Sequence, residues 1–104
     1  MYKIAVLGDK DSIYGFSALG FDTISVFDKD SAERELRHLV ENNYAIIFIT
    51  ENFASILEER ITFYQNKEIV SIVPIPGVSG NTGIGMKNLI KYVEKAVGKD
   101  IISN

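Results

Sequence analysis

Apolar residues are distributed along this chain in two alternating patterns. Ile4-Ala5-Val6-Leu7-Gly8 and Tyr44-Ala45-Ile46-Ile47-Phe48-Ile49 are continuous apolar runs. Runs of that length suit strands covered on both faces. Thr23-Ile24-Ser25-Val26-Phe27 alternates polar and apolar residues and suits a half-exposed strand near a sheet edge. Ile69-Val70-Ser71-Ile72-Val73 supplies a fourth strand.

Segments with helical spacing lie between these runs. Ile13 to Leu19 predicts a short helix, with Ser12 as its cap and Gly20 as its stop. Asp30, with Glu33 three positions later, predicts a capping box for a second helix. Ala32, Leu36, Leu39 and Val40 fall on one face of that helix. A third helix is expected from about Asn52 to Tyr64. Its apolar residues spread over about half the wheel, and Arg60 projects into that arc. A bend near Arg60, a guanidinium reaching a carboxylate, or ordinary snorkelling past the apolar surface would each accommodate it, and snorkelling is the expectation. A glycine-bearing loop from Pro74 to Gly85 leads to a last helix from about Met86 to Val97.

Strand–helix alternation with short connections predicts an α/β fold: a small, doubly wound, four-stranded parallel sheet with helices on both faces. The expected strand order is 2-1-3-4. The chain divides into a body over residues 1–76, a hinge loop over 77–85, and a C-terminal helix and tail over 86–104, all within one domain.

Composition narrows the range of functions. Eleven basic and fourteen acidic residues give a formal charge of -3, against a general nucleic-acid binder, which needs a positive surface to displace counterions. Without cysteine, disulfides, thiolate chemistry and cysteine-ligated zinc are excluded. His38 is the one histidine, and it lies off the apolar face of its helix. No run approaches the ~20 apolar residues of a membrane-spanning helix, and the opening apolar run is too short for a signal peptide. The expected location is cytoplasmic, and service to a membrane complex would require attachment through another protein.

Doubly wound sheets bind ligands beyond the carboxyl ends of their strands. Asp9, Asp11, Asp28, Thr50, Glu51 and Pro74 fall there. An acidic cluster after the first strand is the pattern of magnesium-binding receiver domains. Those domains also need an aspartate ending the third strand and a lysine on a fifth; this chain has Thr50 and no fifth strand. The preferred reading makes Asp9 and Asp11 turn residues near a helix N-terminus, where negative charge is favourable. A degenerate receiver that senses phosphorylation or magnesium is the alternative. The Gly77–Gly85 loop fits neither the P-loop nor the dinucleotide spacing and reads as a connector. No serine or threonine has a plausible base. No catalytic residue, cofactor site or metal ligand is therefore assigned.

The last helix holds the strongest candidate. Met86, Leu89, Ile90, Val93 and Val97 form an apolar stripe, which Tyr92 and Ala96 widen to roughly 160°, against ~100° needed to cover a sheet face. Lys87, Lys91, Lys95 and Lys99 recur along the opposite side, and Ile101 and Ile102 follow Gly98. Residues 84–104 hold four lysines against two acids, whereas residues 1–83 hold seven basic residues against twelve acids. Either this is a core helix with a solvated lysine edge, or one side lies on the sheet and another on a protein partner.

These elements, in this order, resemble the F subunits of V/A-type ATPases. The resemblance rests on Lys3-Ile4-Ala5-Val6-Leu7-Gly8-Asp9-Lys10-Asp11-Ser12, Tyr14-Gly15-Phe16, Leu19-Gly20, Ala45-Ile46-Ile47-Phe48-Ile49-Thr50-Glu51, Ile72-Val73-Pro74-Ile75-Pro76-Gly77, and the run from Ile90 to Ile101. Ser17 departs from it, standing where a bulkier, often basic residue is expected. The resemblance implies a receiver-like body and a non-catalytic place in the central rotor beside the coiled-coil D subunit. The catalytic A and B subunits would then be indirect neighbours. Hydrolysis or synthesis of ATP would be coupled to proton or sodium transport through the D–F shaft, with F modulating ATPase activity. The complex's soluble sector would hold F peripheral to the membrane. Lys87, Lys91, Tyr92, Lys95, Ala96, Ile101 and Ile102 are the candidate partner-binding residues, with the lysines supplying charge complementarity.

Overall fold

The computed structural model describes residues 3–77. Four strands, β1 (Ile4–Gly8), β2 (Asp22–Ser25), β3 (Ile46–Thr50) and β4 (Ser71–Ile75), form one sheet in the order β2-β1-β3-β4. All three pairings are parallel, with Val6 opposite Thr23 on one side and Phe48 on the other. The α/β fold and strand order expected from the alternation are those observed. The bounds differ: β2 starts one residue before Thr23 and stops before Val26 and Phe27, and β4 starts two residues after Ile69 and runs through Pro74.

One face of the sheet is covered by α2 (Lys29–Glu41), α3 (Glu51–Ile56) and α4 (Glu58–Lys67). Ala32, Leu36, Leu39 and Val40 bury the predicted stripe of α2 against Ala5, Leu7, Ile47 and Ile49. Each side chain of Leu or Ile size buried here contributes about 1.5–3 kcal/mol. The cap is not the Asp30/Glu33 pair. Asp28 caps α2, its Oδ1 accepting from the Ser31 backbone N–H at 2.8 Å while Ser31 Oγ accepts from the Asp28 N–H at 3.3 Å. Ser31 closes the reciprocal box from the third helical position, so the helix begins two residues earlier than Asp30 allowed.

The third predicted helix is two. It breaks at Leu57 (φ −103, ψ 19), whose side chain is buried in the core, while Phe53 and Tyr64 hold the pieces on either side. Neither glycine nor proline stands at the break; the need to bury Leu57 sets it. Arg60 does not merely snorkel, because its Nε donates to Glu33 Oε1 on α2 at 3.0 Å.

The opposite face is covered by α1 (Lys10–Ile13) and a 3-10 turn over Tyr14–Leu19. Ile13 and Phe16 are buried there against Ile4, Val6, Phe48 and Ile75. Phe21 bridges Phe16 and Phe48, with ring centroids 6.3 and 6.1 Å away. The helix starts before Ser12 and is capped by Asp9, whose Oδ2 accepts from the Ser12 backbone N–H at 3.2 Å and its hydroxyl at 2.8 Å. Ser12 is therefore the cap's buried donor and not the cap. Gly20, at φ 83, ends the turn as expected.

Candidate partner-binding surface

Parallel order places the carboxyl ends of all four strands on one side, and the strand order reverses between β1 and β3. Gly8 and Thr50 end those two strands. A Cβ built on Gly8 would lie 2.6 Å from Thr50 Oγ1, so glycine is what lets the threonine side chain fill the place where a crevice would open. Thr50 is fully buried, and its hydroxyl has no hydrogen-bond partner among the described residues. This is the position where a receiver domain needs an accessible aspartate.

The surrounding carboxylates serve the backbone. Asp9 is occupied by Ser12 and Asp28 by Ser31. The Ser31 hydrogen bonds, side chain first and then backbone, hold the Asp28 carboxyl below its usual value of 3.8. No group of three or more His, Asp or Glu side chains is placed to hold a metal ion among the described residues. His38 is exposed on α2, with Nδ1 3.5 Å from the Asn42 side-chain amide. The turn-residue reading of Asp9 matches its capping role.

The amino end of the sheet is polar and tied together. Lys3 Nζ donates to the Asn42 carbonyl at 2.8 Å and sits 4.5 Å from the centre of the Tyr44 ring. The Tyr44 hydroxyl donates to Asp22 Oδ2 at 2.6 Å. That hydrogen bond, reinforced by partial burial and the negative charge, raises the Tyr44 hydroxyl above its usual value of 10.0.

Exposed apolar side chains stand at both ends and on the helices, and Ile69, just before β4 at the amino end, is fully exposed. Near the carboxyl end, Tyr14 is 76% exposed and Phe27 86%. On α3 and α4, Ile56 and Phe63 are about half exposed. Phe27 closes the alternating run that marks β2. Period-2 alternation puts it on the same side as Thr23 and Ser25, so its outward direction is visible in the sequence. Nothing in the local pattern distinguishes exposed Tyr14 from buried Phe16. Lys87, Lys91, Tyr92, Lys95, Ala96, Ile101 and Ile102, together with the expected last helix and most of the expected loop before it, lie outside the described residues.

The sequence profile for the family described as ATP synthase (F/14-kDa) subunit matches residues 4–93. In Fusobacterium nucleatum, the F subunit of a V-type ATP synthase is 41% identical over 102 residues, covering 98% of this chain and 97% of its own length. Its V-type counterpart in Clostridium perfringens is 40% identical, covering 98% of both chains. In Thermococcus kodakarensis, the F subunit of an A-type ATP synthase is 30% identical, covering 95% of this chain and 97% of its own.

Proposed function

The chain belongs to the family of F subunits of V-type and A-type ATP synthases, whose members are not catalytic, and on that premise we propose that it is a central-stalk rotor subunit. In this reading it binds the coiled-coil D subunit, and the pair forms the shaft that couples ATP hydrolysis or synthesis to proton or sodium transport. It also modulates ATPase activity and sits in the soluble sector, peripheral to the membrane on the cytoplasmic side. No helix among the described residues is long and apolar enough to cross a membrane.

The observation that carries the reading is the likeness to F subunits along nearly the whole chain, from relatives of both types. The rival receiver reading is weakened by Thr50, whose side chain is sealed against Gly8 where phosphoryl chemistry would need access.

The division of labour follows the division of the chain. Residues 1–76 act as the rigid body, 77–85 as the hinge and 86–104 as the docking helix and tail. Lys87, Lys91 and Lys95 steer the helix, and Tyr92, Ala96, Ile101 and Ile102 anchor it. The test is co-purification with the coiled-coil D subunit, comparing the wild-type chain with one carrying Tyr92→Asp, Ala96→Asp, Ile101→Asp and Ile102→Asp. Loss of D from a mutant whose sheet still unfolds cooperatively supports this assignment. Retention of D at full strength rejects it.

A further inference from the structure

Two helices on the same face of the sheet are held very differently. Along the thirteen residues of α2, Ser31, Ala32, Leu36, Leu39 and Val40 are buried, and the Asp28–Ser31 box closes the start. Of the ten residues of α4, Tyr64 alone is buried, with Ile61 packed part-way against the same core. No side chain caps the start of α4. The segment from Lys67 to Ile69 that leads out of it is exposed, Ile69 completely. A helix of this length is marginal in water on its own, where even good sequences need ~12–15 residues. Packing must therefore support it. Among the described residues that support amounts to one ring, part of Ile61 and the exposed Arg60–Glu33 pair, and pairs open to solvent add little.

Both ends of α4 are backbone joints. At Leu57 the chain leaves helical geometry (φ −103, ψ 19), while the Leu57 side chain stays anchored in the core cluster that holds Phe53. At the other end Glu68 is extended (φ −121, ψ 158). Few buried contacts and an uncapped start mark a unit that opens at a lower cost than the whole domain.

We infer that α4 is a strap: residues 58–68 lift from the β4 side of the sheet as one cooperative unit, pivoting at Leu57, while the sheet, α2 and α1 stay folded. The inference stands apart from the rotor reading. In the open state Tyr64 leaves the core and Arg60 parts from Glu33, so α4 separates from α2. Because α4 packs beside β4, opening uncovers the sheet margin around Ile72, which belongs to the same core cluster as Tyr64.

The experiment is native-state hydrogen exchange of the full chain, read amide by amide by NMR. After correction for intrinsic rates, the amides of Thr62 to Lys67 should share one opening constant, at least about a hundredfold above that of the β1 and β3 amides. Ile13→Val weakens the opposite face of the sheet, which stays folded while the strap is open. It should speed exchange in β1 and β3 by about 2- to 12-fold and leave α4 unchanged. Tyr64→Ala removes the anchor and should speed α4 exchange at least about tenfold. Arg60→Gln leaves the core intact and should speed it by about 1.5- to 5-fold. Equal acceleration of α4 and the sheet by Ile13→Val would mean that α4 opens only with the whole molecule, and overturns the inference. Rates in α4 that fall off gradually from its ends, or that respond to neither Tyr64→Ala nor Arg60→Gln, overturn it too, because the helix would then fray with Tyr64 still in place.

Discussion

The two ends of the sheet are built on different principles. At the amino end, Lys3, Asn42, Tyr44 and Asp22 satisfy one another through polar contacts that fasten β1, β2 and the turn before β3. At the carboxyl end, order comes from steric fit between Gly8 and Thr50 and from two caps, Asp9 and Asp28, while Tyr14 and Phe27 remain uncovered. The first end ties its polar side chains to one another and leaves Ile69, before β4, exposed. The second closes the crevice where a doubly wound fold would hold a small ligand, and it leaves aromatic surface facing outward. The fold is shared with ligand-binding domains, but here its customary site is filled by the chain.

The largest effect should come from Gly8→Ala, which forces a methyl group into the Thr50 side chain. A loss of about 1–3 kcal/mol in urea unfolding is expected. Adding Thr50→Ala should recover part of it, so that the double-mutant cycle shows coupling. Additive losses would mean that the two residues do not share that space.

Next is Tyr44→Phe, which removes the hydrogen bond to Asp22 and should lower stability by about 0.5–1.5 kcal/mol near neutral pH. The folded-state value of the Tyr44 hydroxyl is raised above 10.0. Its contribution is therefore fully present below pH 10 and is lost as pH rises through the raised value. Wild type should lose more stability than Tyr44→Phe across that alkaline range. Parallel curves would remove Asp22 as the cause.

A smaller change is expected from Arg60→Gln, which lies at neither end. Its partner Glu33 is partly exposed and the pair is open to solvent, so about 0.2–1 kcal/mol is at stake and should shrink in high salt. The smallest effect at neutral pH belongs to Asp28→Asn, because asparagine also caps well. The Asp28 value is lowered below 3.8, so its contribution is present above that pH and lost as pH falls through the lowered value. Acid unfolding of Asp28→Asn should accordingly be less steep than that of wild type.

Much of this architecture was legible in the chain because buried parallel strands and an amphipathic helix leave continuous or periodic apolar marks. Ile46 to Ile49 and the Ala32, Leu36, Leu39 and Val40 stripe are plain in the sequence for that reason. Helix starts are harder. Asp9 and Ser12 are both cap-forming types, as are Asp28 and the expected Asp30; choosing between them requires knowing that Ser12 and Ser31 are buried inside the first turn. The break at Leu57 has no local signature, since it follows from where Leu57 must reach in the core. Phe27 is visible as an outward residue by alternation, whereas Tyr14 needs the three-dimensional path of the 3-10 turn. The proposed docking residues beyond Gly77 are chosen by periodicity, and their test is biochemical.

Pro74 gives the described sheet a definite margin. Ser71 sends its N–H inward to the Ala45 carbonyl at 3.0 Å, so alternation turns the Pro74 nitrogen to the outer side of β4. That nitrogen carries no hydrogen, and a strand arriving from another molecule would find a rung missing from the ladder. In a cell that makes many copies of this protein, the omission discourages side-by-side polymerisation of sheets before each copy reaches its assembly.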